Sequence, residues 1–303
     1  AAATLFPHWM EKLHGGFELG VGLAFVFFAA IAAGADLVLV GDSLGMVIQG
    51  HDTTVPVTVD DIVYHTRAVA RGLRRAFLVA DMPFMSYSEP GQALENAVRL
   101  MQEGGAQMVK LEGGMLQVKT VEFLSGRDIP VCAHIGLTPQ SVHKLGGFKV
   151  QGREQGAVER MISEARALEE AGADIVLLEC VPAAVGAAVR GALRVPVSGI
   201  GAGPDVDGQV LVLQDLLGVN TAFRPKFVRT WLDGSTLITN ALQAYHDAFT
   251  PVRRKHPHAI LYPTANFNPA VYQKNRTPWR PEIQSGHYRK MAEAGAANMV
   301  LFD

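Results

Sequence analysis

The chain alternates short apolar runs with amphipathic stretches, and one unit recurs along its length. Ala33-Gly34-Ala35-Asp36 leads into Leu37-Val38-Leu39-Val40 and then Gly41-Asp42. Gly104-Gly105-Ala106-Gln107 leads into Met108-Val109-Lys110-Leu111 and Glu112, and Ala171-Gly172-Ala173-Asp174 into Ile175-Val176-Leu177-Leu178 and Glu179. Each reads as a helix closed by glycine, a short buried strand, and a carboxylate where the strand stops. Residues 76–80 before Asp81, 131–133 before His134, and 197–200 supply three more strands. Helical patterns fall between them at residues 60–71, 92–103, 157–171 and 208–217. Thr58, with Asp61 three residues on, is an acidic variant of the capping box and starts the first of these.

Alternating strands and helices imply a parallel sheet with right-handed crossovers. Six or more such units, with polar groups at the strand ends, fit an α/β fold of the (β/α)8 TIM-barrel type better than an open sheet. In such barrels the C-terminal strand ends carry the chemistry. One stretch has two readings. Residues 19–35 are uncharged for 17 positions but contain Gly20, Gly22 and Gly34, and a membrane helix needs roughly 20 apolar residues. A buried barrel strand and helix is the expectation. The alternative is a targeting segment ending at the small residues Ala32-Ala33-Gly34-Ala35, although no basic start precedes it.

Composition narrows the class. Of 303 residues, 49% are hydrophobic and 18% charged, against about 25% charged in average chains, which argues against a disordered chain. Two cysteines form neither a disulfide framework nor a four-thiolate zinc site; Cys132 and Cys180 fall at strand positions and are expected buried and reduced. The net charge of −2 provides no field for nucleic acid. It also conceals an asymmetry, because residues 251–303 hold eight Lys/Arg against three Asp/Glu, and six of the 16 prolines. The expected organisation is a catalytic barrel over residues 1–250 and a basic, proline-rich extension over 251–303. That extension is either loosely ordered or packs its last unit, Met291-Ala292-Glu293-Ala294-Gly295-Ala296 onward, against the barrel.

The strand-end residues carry the candidate chemistry. Asp42, Asp81 and Glu112 are expected to point into one mouth, where three oxygen donors suit a hard cation, with magnesium the default. Lys110, two residues before Glu112, faces the same side and would attract a carboxylate-bearing substrate. Glu179 ends another strand and could act as a general base if burial raises its pKa. Singly, each acid could equally be a helix cap or a solvated loop group; four together would repel unless a cation were bound.

The residues also carry a family resemblance. Gly41-Asp42-Ser43-Leu44-Gly45-Met46, Ala80-Asp81-Met82-Pro83-Phe84-Met85-Ser86-Tyr87 and Met108-Val109-Lys110-Leu111-Glu112-Gly113-Gly114 resemble motifs of the ketopantoate hydroxymethyltransferases. So do His134-Ile135-Gly136-Leu137-Thr138-Pro139-Gln140, Gly146-Gly147-Phe148-Lys149-Val150-Gln151-Gly152-Arg153, Leu178-Glu179-Cys180-Val181-Pro182 and Gly199-Ile200-Gly201-Ala202-Gly203. The ordered series spans residues 29–249, about three quarters of the chain. It implies a TIM barrel of the phosphoenolpyruvate/pyruvate-binding type. It also implies a magnesium-dependent transferase of pantothenate synthesis, moving a one-carbon unit from 5,10-methylenetetrahydrofolate to 3-methyl-2-oxobutanoate through a magnesium-stabilised enolate. By the same resemblance Asp42 and Asp81 are metal ligands, with Glu112 a third, directly or through water. Asp42, Ser43, Asp81 and Lys110 line the keto acid, and Glu179 is the proton acceptor. A cytoplasmic homo-oligomer, commonly a decamer, is implied as well, with no membrane or nucleic-acid partner.

Other features have two readings each. The glycines at 199, 201 and 203 are not a dinucleotide fingerprint, and form either a loop approaching a ligand or a tight turn. His134 either touches product or is structural. Lys144, Lys149 and Arg153 either steer an acidic folate tail or form a solvated basic loop. The resemblance fails at both ends. Where the family carries a Thr-Ala-Tyr-Asp-like first strand, residues 23–28 here read Leu-Ala-Phe-Val-Phe-Phe, and residues 1–28 are atypical throughout. The alternatives are therefore another magnesium-enolate lyase or mutase of the same barrel superfamily, or a catalytically impaired barrel serving as an assembly subunit.

Overall fold

The computed structural model describes residues 35–154, 156–221 and 224–255, which fall into two compact units, residues 35–232 and 233–255. The first unit is built on seven strands: β1 Leu37–Val40, β2 Phe77–Asp81, β3 Met108–Glu112, β4 Val131–Gly136, β5 Ile175–Glu179, β6 Val197–Ile200 and β7 Gly208–Gln209. Each strand pairs in parallel with the next one in sequence, giving the order β1-β2-β3-β4-β5-β6-β7. An open doubly wound sheet reverses its strand order at a switch point. Here the order never reverses, so right-handed crossovers keep every helix on one face and the sheet curls on itself. The expected α/β fold is present as a curled parallel sheet, with seven strands among the described residues.

Two separate apolar clusters follow from the period-two alternation of the strands. Outward positions such as Val38, Val40, Leu78, Ala80, Val109, Leu111, Val176 and Leu178 pack under the helices. Inward positions Val79, Met108, Cys132 and Leu177 form a second cluster inside the curl. The helices that cover the outer face are α1 Val59–Gly72, α2 Pro90–Gln102, α3 Val118–Ser125, α4 Ala157–Glu170 and α5 Ala183–Ala192. They bury residues at helical spacing, for instance Ile62, Thr66 and Val69 on α1, and Ala93, Ala97 and Leu100 on α2.

Local chemistry sets the helix ends. The Thr58 N–H donates to Asp61 Oδ2 at 2.9 Å and the Asp61 N–H to Thr58 Oγ1 at 3.2 Å, completing the capping box at the start of α1. Gly172, just past α4, has φ +100° and a Cβ there would collide with the Ser125 side chain. Only glycine fits that turn into β5.

Six of the strands lie where the sequence pattern puts them. The helix expected over residues 208–217 does not form as such. The chain there makes the two-residue strand β7, an extended Val212, and a single helical turn at Leu213–Leu216. The β-branched run of Val210 and Val212 favours extended backbone over helix. Helices α3 and α5, with 8 and 10 residues, are too short for their apolar period to stand out from the neighbouring strands. Residues 19–34, the expected first strand at 23–28 and the final unit from Met291 lie outside the described residues.

The second unit contributes one helix, α6 Gly234–Lys255, which runs through Pro251 where the composition changes. Among the described residues no helix is long and apolar enough to cross a membrane.

Candidate active site

The inward face changes character at the C-terminal ends of the strands. On β2 the inward Val79 is followed by Asp81, on β3 Met108 by Lys110 and Glu112, on β4 Cys132 by His134, and on β5 Leu177 by Glu179. The strand register sets Asp81 opposite Lys110 and Glu112 opposite His134. Asp42 joins from the turn after β1, where its N–H donates to Asp81 Oδ2 at 3.1 Å. One oxygen each from Asp42, Asp81 and Glu112 lies within 4.8 Å of the others, and all three residues are buried.

Lys110 is the cation in this group. Its Nζ lies 2.8 Å from Asp81 Oδ1 and 3.5 Å from Glu112 Oε1. His134 bridges the two sides of the mouth, with Nδ1 3.3 Å from Glu112 Oε1 and Nε2 3.4 Å from Glu179 Oε2. Glu179 is the rim member, its side chain 19% exposed against 2–5% for Asp81, Lys110, Glu112 and His134. Ser43 is half-buried beside Asp42, and its hydroxyl caps no helix.

The electrostatics follow from packing four acids around one lysine. Burial pushes the Asp42 carboxyl well above its ordinary value, and Asp81 adds to the shift while Lys110 and Gln140 oppose it. Asp81 is raised too, by burial first, against the pull of Lys110. Burial also works on Glu112, but there Lys110, His134 and the backbone N–H of Gln140 outweigh it and hold the carboxyl below its usual range. Lys110, despite burial, is held well above its ordinary value by Asp81, Glu112 and Asp42. Burial pushes Glu179 up to about 7.

Charged carboxylates this close cost free energy unless a cation balances them. Lys110 balances one. The donor set of Asp42, Asp81 and Glu112 is therefore fitted to a further, hard, oxygen-loving cation.

All the residues expected to form the site meet at this mouth: Asp42, Ser43, Asp81, Lys110, Glu112 and Glu179. Two further members were not assigned a role from the sequence. Gln140, in the turn after β4, is buried, and its Nε2 donates to Asp42 Oδ2 at 2.8 Å and to the Met82 carbonyl at 2.9 Å. Tyr87 donates its hydroxyl to Gln140 Oε1 and accepts from the Glu112 N–H at 3.2 Å. Both belong to the motifs quoted above, yet an uncharged amide 98 positions from Asp42 offers no pattern that would single it out.

The weaker candidates sort differently. Gly201 and Gly203 have positive φ, and a Cβ would meet the Phe227 ring at 2.7 Å and Ala183 Cβ at 2.5 Å respectively. Their glycines thus answer to close packing in a tight turn. Lys144, Lys149 and Arg153 are exposed. Cys132 is buried on β4, as expected; Cys180 lies just past β5 and is only half-buried, because the strand ends at Glu179 and the backbone turns there with φ 49°.

Comparison with known proteins agrees with this geometry. The model for the family ketopantoate hydroxymethyltransferase matches residues 25–258. The 3-methyl-2-oxobutanoate hydroxymethyltransferase of Nitrosococcus oceani is 57% identical over 223 residues, covering 73% of this chain and 84% of that protein. That of Alkalilimnicola ehrlichii is 59% identical over 216 residues, covering 71% and 78%. Among solved structures, 2,3-dimethylmalate lyase, a PEP mutase/isocitrate lyase superfamily member, aligns with a TM-score of 0.46 at 15% identity, over 92% of this chain and 89% of that one. From the matched span and the identity to these relatives, the chain belongs to the ketopantoate hydroxymethyltransferase family.

Proposed function

We propose that this chain is a 3-methyl-2-oxobutanoate hydroxymethyltransferase, using 5,10-methylenetetrahydrofolate to convert 3-methyl-2-oxobutanoate into ketopantoate for pantothenate synthesis. The observation that carries the reading is the buried triad Asp42, Asp81 and Glu112 with Lys110 beside it and Glu179 across the mouth. Magnesium suits that triad, and when bound it would supply Lewis-acid stabilisation of the enolate of a 2-keto acid.

The remaining work falls to the protein's own groups. Lys110 provides the positive charge that a substrate carboxylate seeks, and the Ser43 hydroxyl can donate a hydrogen bond to it. Glu179, with a carboxyl near 7, is poised to take a proton from the carbon next to the keto group, since catalytic bases work best near the ambient pH. His134 Nε2 lies 3.4 Å from that carboxylate. The deprotonated carbon then forms its new bond to the folate's methylene carbon; that carbon's two bonds to folate nitrogens break, water supplies the hydroxyl of ketopantoate, and tetrahydrofolate leaves with the protons on its nitrogens. The loops after β2 and β3 expose Phe84, Met85, Met115 and Leu116, an apolar lip suited to a flat heteroaromatic ring. A homo-oligomer in the cytoplasm, with the barrel domain over residues 1–250 and an extension over 251–303, completes the reading.

The test is folate-dependent ketopantoate formation with and without magnesium, alongside deuterium exchange at the substrate carbon. Glu179→Gln is expected to lower exchange by about 10²–10⁴-fold while sparing metal binding. Unchanged exchange in that variant overturns the base assignment. Exchange without transfer to folate would instead favour a lyase or mutase, and neither activity in the folded chain an assembly subunit.

A further inference from the structure

We propose that Gln140, locked by Tyr87, is a positioning residue that holds the Asp42 and Glu112 carboxylates in the arrangement that accepts the cation. The inference rests on reading Asp42, Asp81 and Glu112 as a metal site, and concerns what keeps that site assembled.

The argument starts from the two ends of the amide. A glutamine side chain offers two N–H donors and one acceptor oxygen, and its orientation must be settled by its partners. Here the partners permit one orientation. The Met82 carbonyl, 2.9 Å away, can only accept, so Nε2 must face it, and the same Nε2 lies 2.8 Å from Asp42 Oδ2. On the other side the Tyr87 hydroxyl has already accepted the Glu112 N–H at 3.2 Å, and donates its own hydrogen to Gln140 Oε1. A phenol is protonated at physiological pH, so it remains a donor. Every polar atom of the amide is thus committed, and both Gln140 and Tyr87 are buried.

The backbone adds a second hold. The Gln140 N–H donates to Glu112 Oε2 at 3.0 Å. One residue therefore ties down Asp42 through its side chain and Glu112 through its main chain, two of the three carboxylates that converge. The turn that carries it, Pro139–Ser141, follows directly on β4. Asp42 has a particular need of such a donor. It lies in a site with more acids than cations, where the buried Lys110 pairs with Asp81 and Glu112. A neutral donor stabilises its ionised form and holds one of its two oxygens in a fixed place. Groups that orient ligands in this way are worth about 10–100-fold in metal affinity.

The experiment measures binding of Mn²⁺ alone, as a paramagnetic stand-in for Mg²⁺, to the purified full chain without substrate, by the electron paramagnetic resonance of the free ion. Wild type is measured in parallel with Gln140→Leu and Tyr87→Phe, each checked for folding by circular dichroism. In Gln140→Leu the dissociation constant is expected to rise at least tenfold; in Tyr87→Phe, which leaves the amide in place but frees it to turn, about three- to tenfold. The magnesium concentration for half-maximal turnover is expected to rise by the same factor as the Mn²⁺ dissociation constant, a match that a general packing defect would not produce. A dissociation constant within twofold of wild type in folded Gln140→Leu overturns the proposal. Should Gln140→Leu not fold, an unchanged constant in Tyr87→Phe overturns it instead. If wild type itself binds no Mn²⁺, the metal reading fails and the positioning role with it; if wild type binds and the variants bind equally, only the positioning role fails.

Discussion

Four strands change chemistry over a single pleat repeat. Val79, Met108, Cys132 and Leu177 form a lower layer inside the curled sheet, and Asp81, Lys110, His134 and Glu179 stand two residues further along the same strands. The two layers share backbone, direction and neighbours. They differ in what their side chains require. The lower layer is apolar and buried, so each side chain contributes stability by leaving water. The upper layer is almost as buried, yet it gathers acids whose charges oppose burial and one another. It is tolerated because the lower layer and the helix-packed outer face hold the strand ends in place, and because a cation can relieve it. Stability and chemistry are thus separated by about 7 Å of extended chain.

The largest expected break in that division comes from the lower layer. Leu177→Ala is expected to destabilise the protein by about 2–5 kcal/mol, measured by urea unfolding. Leu177 already lines a cavity of about 40 Å³ with Val79, Cys132, Ser198 and Val210. Metal affinity of the folded variant is expected to stay within twofold of wild type. A collapse of metal binding in chain that remains folded would show that the layers are not separable.

The upper layer gives a smaller effect of opposite sense. The Asp42 carboxyl is raised by burial in the folded state, so the folded chain holds its proton more tightly than the unfolded chain. Asp42 therefore favours folding at pH below its unfolded value, and that contribution is lost as pH rises through the raised folded value. Glu179 works in the same sense up to about 7, whereas Glu112, held low, works in the opposite one. The metal-free chain is accordingly expected to lose stability on going from mildly acidic to neutral pH, by about 1.4 kcal/mol per pH unit for each proton held only in the folded state. Asp42→Asn removes the charge and is expected to flatten this slope while weakening cation binding. Unfolding curves taken without metal across that range measure it; an unaltered slope would remove Asp42 from the account.

The division also explains what could be read from the sequence. The lower layer and the strand-end acids were legible because both obey the period of two, so the strand pattern delivered Asp81, Lys110, Glu112 and Glu179 to one side. Asp42 was legible as the polar residue that stops the apolar run of β1. Strand β7 was not, because two residues are too few to show a period and the apolar run after it mimics a helix. Gln140 escaped for another reason. Its importance lies in contacts to Asp42, Met82 and Tyr87 that no local spacing encodes. His134 had two readings in the sequence, and only the paired distances to Glu112 and Glu179 set it between two carboxylates.

The smallest effect tests a place that belongs to neither layer. Thr58 caps α1 on the outer, solvent-facing side, through reciprocal bonds with Asp61. Thr58→Ala removes the hydroxyl that accepts the Asp61 N–H and is expected to cost about 1 kcal/mol of stability, with no change in metal binding or turnover. The effect carries its own pH signature. Partial burial of Asp61 is outweighed by the Thr58 hydroxyl and N–H, so its carboxyl is held below the ordinary value. That stabilisation is present above the unfolded pKa and is lost as pH falls through the folded one. The stability gap between wild type and Thr58→Ala is therefore expected to narrow in acid, where the metal-free upper layer becomes more favourable. Opposite pH trends in the two regions, measured on the same unfolding curves, would separate a cap that works by accepting hydrogen bonds from a site strained by its own acids. Parallel trends would mean that the outer cap and the inner acids are coupled through β1, and that the separation of stability from chemistry is incomplete.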